Sequence, residues 1–143
     1  MNWSNDEKNI VDFLNENVDM FKKEPLEYEG KRYSTYDAYN KTYTCEIKKR
    51  NFESYHKYAQ EGLILEKKKY DALIEKANTR VTDALYINIF TDNKAFIWNL
   101  TKLTEENYDF SWHPMKMNKA TFRSKYDKIE KEIALLKENI IYA

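Results

Sequence analysis

Two runs rich in tyrosine and threonine, residues 32–39 and 42–49, flank Asn40-Lys41 and read as the two arms of a β-hairpin. Aromatic and β-branched side chains favour extended backbone, and the dipeptide between the runs supplies the turn. With Asn40-Lys41 at its tip, Asp37 faces Thr44 and Glu46 faces Thr35. Side chains alternate along a strand, so Asp37, Glu46 and Lys48 project from one face. Asp37 and Glu46 become diagonal neighbours, roughly 7–8 Å apart at the backbone. A turn one residue longer sends the two acids to opposite faces.

Two carboxylates that converge offer hard oxygen ligands for Mg²⁺, and a lysine beside them can orient or polarise a water. On spacing alone, an exposed sheet face carrying cross-strand Lys–Glu pairs explains the Glu46-Ile47-Lys48 triplet equally well. The chain has a second Glu-x-Lys, Glu66-Lys67-Lys68, within a helical pattern and without a carboxylate-bearing strand before it. That one reads as a solvated helix face.

The remaining elements set the hairpin in context. Ser4-Asn5-Asp6-Glu7 is a capping-box pattern, and Ile10, Val11, Leu14, Val18 and Phe21 recur at helical spacing, predicting a helix over 5–22. Leu26-Glu27-Tyr28 reads as a short strand. Residues 63–77 return to helical spacing through Leu65, Lys69, Leu73 and Ala77. Residues 84–90 and 95–100 form a second hairpin around Asp92-Asn93-Lys94. Residues 101–119 read as irregular and aromatic, while 126–137 has helical propensity with a late strand at 132–136 as the alternative. The fold class is α/β, with a mixed central β-sheet flanked by helices in a single domain spanning residues 1–143.

Composition removes several chemistries. Two glycines and two prolines leave no glycine-rich phosphate loop and no dinucleotide-binding turn. One cysteine, Cys45, excludes an internal disulfide and a cysteine-based zinc site. His56 and His113 have no ligand-spaced partners. The net charge is zero, with 24 basic and 24 acidic residues, so nucleic-acid binding would have to rely on local patches. Lys49, Arg50, Lys68 and Lys69 are the candidates nearest the triplet. Lys116, Lys119, Arg123 and Lys125, beside Trp112 and His113, form a second cluster. The start of the chain has no leader-like pattern and no apolar run approaches ~18 residues, so a cytoplasmic protein without membrane contact is expected. The Lys-, Asn-, Tyr- and Ile-rich wording fits a low-GC bacterial or phage genome.

A helix, three strands with Asp on the second and Glu-x-Lys on the third, then a further helix and strand, resembles the PD-(D/E)XK nuclease superfamily over residues 5–100. The resemblance implies a restriction-endonuclease-like core in which Asp37, Glu46 and the carbonyl of Ile47 bind Mg²⁺, with Mn²⁺ as a substitute. It implies that Lys48 orients the water and steadies charge on the phosphate. Tyr36 stands where the family often has proline. Members often add an acid from the first helix; the capping box claims Glu7, which leaves Glu16. The implied activity is Mg²⁺-dependent hydrolysis of DNA phosphodiester bonds, with a recruiting protein or a homodimer as further partners. A non-catalytic phage or mobile-element protein that uses the same fold for nucleic-acid or protein binding is the alternative.

Overall fold

The computed structural model describes residues 7–31, 34–54, 63–103, 112–118 and 128–136. The chain forms a mixed α/β fold. Its elements are α1 (Glu7–Asn17), α2 (Asp19–Lys23), β1 (Glu27–Tyr28), β2 (Ala38–Tyr39), β3 (Tyr43–Lys49), β4 (Leu63–Glu66), α3 (Lys67–Thr79), β5 (Asp83–Ile89), β6 (Ala95–Asn99), β7 (His113–Asn118) and β8 (Lys128–Leu136).

Five strands make one sheet in the order β1-β2-β3-β5-β6. Neighbours are antiparallel except β3 and β5, which run parallel in the register Glu46↔Tyr86 and Lys48↔Asn88. A parallel pair needs a crossover, and α3 lies within it. Strand β5 lies between β3 and β6 and is buried along nearly its whole length, as a strand covered on both faces must be.

Alternation sorts the side chains of β3 and β5 into two cores. Cys45, Ile47, Leu85, Ile87 and Ile89 pack with Ile10, Val11, Leu14 and Phe21 from the N-terminal helices. Ala84, Tyr86, Phe96 and Trp98 pack with Leu73 and Ala77 of α3 and with Leu63, Leu65 and Leu136. Those last three residues belong to a second, antiparallel sheet ordered β4-β8-β7.

Several expectations are corrected. The predicted 5–22 helix is two helices, because Val18 adopts extended backbone (φ −100°, ψ 119°) between them. Ser4, the proposed cap, lies outside the described residues. Residues 63–66 are strand rather than helix: Leu63 and Leu65 point inward at two-residue spacing and pair with Leu136 and Ala134. An apolar run of three residues cannot distinguish the two periods. Strand β7 falls in the stretch expected to be irregular, and the late segment takes its strand alternative as β8.

The first hairpin also turns one residue later than its sequence suggested. Asn40 is buried rather than at the tip, and its N–H closes the pair with the Tyr43 carbonyl at 3.0 Å. Its Oδ1 accepts the N–H groups of Thr42 (2.9 Å) and Tyr43 (2.7 Å), while its Nδ2 donates to the Glu24 carbonyl (2.8 Å). This side-chain turn places Lys41-Thr42 at the bend and pairs Tyr39 with Thr44 and Ala38 with Cys45. The anticipated pairing of Asp37 with Thr44 is therefore replaced.

Candidate active site

The new register brings Asp37 level with the middle of β3. Regular pairing stops at Ala38, opposite Cys45, yet the Asp37 N–H also donates to the Cys45 carbonyl at 2.8 Å. Two residues thus face one, the pattern of a β-bulge, which bends a strand and re-aims the side chain it carries. The Asp37 carboxylate turns toward β3, where Oδ2 accepts the Ile47 N–H at 2.7 Å. The carbonyl of Ile47 faces the same edge of its strand as that N–H, so it looks toward the acid as well.

Glu46 and Lys48 share the α3-side face of β3, as alternation requires, with Nζ 3.4 Å from Oε1. Both are partly buried, their side chains 19% and 31% exposed. Burial, and then the charge of Glu46, push the Asp37 carboxyl up to about 7, against the pull of the Ile47 N–H. Burial also raises Glu46, opposed by Lys48. For Lys48, burial is the largest influence and favours the neutral amine, but the charge and hydrogen bond of Glu46, with Lys69 and Tyr86, together hold the ammonium above its ordinary pKa.

The first turn of α3 delivers Lys69 to the same place. Its amine lies within hydrogen-bond reach of Lys48, and burial together with the Lys48 charge lowers its pKa. Below these amines, Tyr86 and Asn88 carry polar groups on the otherwise apolar β5. Arg50 donates from Nε to Asn88 Oδ1 (2.7 Å) and from a terminal nitrogen to the Tyr86 hydroxyl (3.1 Å).

No family model, no curated protein and no solved structure matches the chain.

Sequence reasoning named Asp37, Glu46, Ile47 and Lys48, and the fold gathers these four. Of the outlying basic residues, Lys69 and Arg50 join them. Lys68 is exposed on α3, and Lys49 belongs to the opposite face of β3. The helix acid differs from expectation. Glu16 is exposed near the end of α1 and is not among the charges that shift Asp37 or Glu46. Glu7 raises both from the first turn of α1. Tyr86 and Asn88 went unremarked, although polar residues two apart in an apolar run are a signal. The second basic cluster falls outside the described side chains, and Trp112 packs edge-on against Tyr70 at 5.2 Å.

The donor set suits a hard divalent cation. Two adjacent carboxylates, both penalised by burial and one by the other's charge, gain from a positive ion between them. Among the described residues no group of three or more His, Cys, Asp or Glu is placed to hold a metal. Mg²⁺ commonly keeps several waters and takes one or two carboxylates, a number that Asp37 and Glu46 would supply. Among the described residues no helix is long and apolar enough to cross a membrane.

Proposed function

We propose that the chain is a Mg²⁺-dependent nuclease that hydrolyses DNA phosphodiester bonds at Asp37, Glu46 and Lys48. The observation carrying this reading is geometric: the Asp37 carboxylate is held on β3 by the Ile47 N–H at 2.7 Å, next in the chain to Glu46, whose Oε1 lies 3.4 Å from Lys48 Nζ. Asp37, Glu46 and the Ile47 carbonyl would hold the ion. When bound, Mg²⁺ supplies Lewis-acid charge at a phosphoryl oxygen and lowers the pKa of a bound water.

The protein's own groups have separable tasks. The Ile47 N–H fixes the Asp37 carboxylate so that its second oxygen is directed without rotamer searching. Lys48 carries a charge that burial alone would disfavour, which suits it to meet the negative charge that builds on a phosphate in the transition state. The order of elements also supports a restriction-endonuclease-like core of the PD-(D/E)XK type. A helix precedes three antiparallel strands, and a crossover helix leads to a strand parallel to the third.

The test is nicking of supercoiled plasmid with Mg²⁺ or Mn²⁺ by the parent, Asp37→Ala and Lys48→Ala, with RNA digested in parallel. Loss of at least about 100-fold in each variant is expected, the order seen when an electrostatic group is removed from an active site. Cleavage that persists in both variants discards the site. No cleavage of any nucleic acid, with no metal binding by calorimetry, discards the enzyme.

A further inference from the structure

We propose that Lys48, Lys69 and Arg50 form a phosphate subsite over Tyr86 and Asn88, which holds a phosphate of a nucleic-acid strand beside the one presented to Asp37 and Glu46. The nuclease reading is needed only to say that the phosphate belongs to such a strand; anion capture itself needs no metal.

Three features point to an anion here, and each is unfavourable without one. The first is Asn88. It is fully buried, its Oδ1 is taken by Arg50, and its Nδ2 makes no hydrogen bond of good geometry, with only the neighbouring Tyr86 hydroxyl beside it. An orphaned buried N–H costs about 1–3 kcal/mol, so a native fold rarely keeps one without use. The second is the contact between the amines of Lys48 and Lys69, two like charges that burial has partly stripped of water. The acids nearby do not settle it. Glu66 stands 3.9 Å from Lys69 but is committed to Lys131 at 2.7 Å, and Glu46, 3.4 Å from Lys48, is one carboxylate against two amines. The third is Lys68-Lys69 in the first turn of α3, beside Lys67, which is paired with Asp71 at 2.8 Å. A helix N-terminus carries partial positive charge and favours anions, and the Glu66 side chain makes no capping bond there.

One bound phosphate answers all three. Its oxygens can accept from Asn88 Nδ2 and the Arg50 guanidinium, bridge the two amines and lie in the field of the helix end. The subsite is also in register with the acids. Tyr86 pairs with Glu46 and Asn88 with Lys48, so the two positions are one strand spacing apart, about 4.8 Å. Arg50, bound to both Tyr86 and Asn88, is a positioning and binding residue rather than one that touches the reacting atoms.

The test uses metal-free protein in EDTA, titrated with inorganic phosphate and with 5′-phosphorylated and 5′-hydroxyl hexathymidylate. Binding is followed by amide NMR shifts of Asn88, Arg50 and Lys69. Lys69→Ala and Arg50→Gln should each weaken binding at least about 5-fold, while exposed Lys41→Ala should not. Tighter binding of the 5′-phosphorylated oligomer assigns a strand end, and equal binding assigns an internal phosphate; either supports the subsite. Asp37→Asn should lose plasmid nicking and keep phosphate binding, which separates this proposal from the enzyme reading. Shifts absent with every probe, or unchanged affinity in both Lys69→Ala and Arg50→Gln, overturn it. Because Lys69 is half exposed, its alanine variant tests the idea without endangering the fold.

Discussion

The Asp37 carboxylate accepts the Ile47 N–H at 2.7 Å, a bond that ties a bulged residue of one strand to the backbone of the next. It replaces a ladder bond with a side-chain bond, so the acid is held by the same interaction that continues the hairpin. Burial and the Glu46 charge nevertheless push its carboxyl up to about 7, well above its ordinary value of 3.8.

That shift makes metal-free stability depend on pH. Between the unfolded and folded values the native state holds the extra proton, so stability is fully present below about pH 4 and is lost as pH rises through about 7. At pH 8 the charged acid costs up to about 4 kcal/mol, and roughly 2 after allowance for partial exposure. Asp37→Asn keeps an acceptor for Ile47 and removes the penalty. Urea unfolding should find it more stable than the parent at pH 8 and equal to it at pH 4. A pH-independent difference would rule out the raised acid.

The same acid should couple metal binding to proton release. At pH 6 a cation must displace a proton that Asp37 would otherwise hold, so Mg²⁺ binding should release close to about one proton, falling toward none by pH 9. Calorimetry in two buffers of different ionisation enthalpy reads the number directly. Asp37→Asn should bind more weakly and release fewer protons. Heats that do not depend on the buffer at pH 6 would remove Asp37 from the ligand set.

What was legible in the sequence follows from which interactions are local. Alternation along 43–49 suffices to put Glu46 and Lys48 together, and periodicity locates α1 and β5. The bend at Lys41-Thr42 was missed because Asn40 makes a bond to Glu24, sixteen residues earlier, that no dipeptide reveals. Moving the bend by one residue without lengthening it preserves which face Glu46 occupies, and the bulge then re-aims Asp37. Lys69 could be named as basic but not placed, since its meeting with Lys48 depends on where α3 begins. Glu7 was hidden by its plausible duty at the helix cap.

Asn40 accordingly decides the hairpin. Asn40→Ala removes three side-chain hydrogen bonds and should cost about 2–3 kcal/mol. Asn40→Asp keeps both acceptor bonds, loses the donor to Glu24 and should recover part of that. Denaturant midpoints for the three proteins measure the order. An alanine variant as stable as the parent would show that the turn is set elsewhere.

Val81 follows α3 with φ at 57° and is 89% exposed. A β-branched residue in left-handed backbone is strained, whereas glycine adopts it freely. Val81→Gly should raise stability by about 0.5–1 kcal/mol even though it adds a flexible residue, because relief of strain exceeds the entropy cost. Thermal unfolding checks the sign, and a lower midpoint would contradict the strain.

Lys68 separates folding from binding most cleanly. It is exposed in the first turn of α3, where a cation opposes the helix dipole, and among the described residues no ion pair repays it. Lys68→Glu should therefore stabilise the protein by roughly 0.3–1 kcal/mol at low salt, an effect that fades as salt rises. If a nucleic-acid strand runs past this helix end, the same change should weaken its binding and lower the salt slope of affinity by about one. Opposite movement of the two quantities means that the lysines opening α3 are kept for a ligand at the expense of the fold. A variant that gains stability with unchanged binding would confine the phosphate contacts to the buried amines and the arginine.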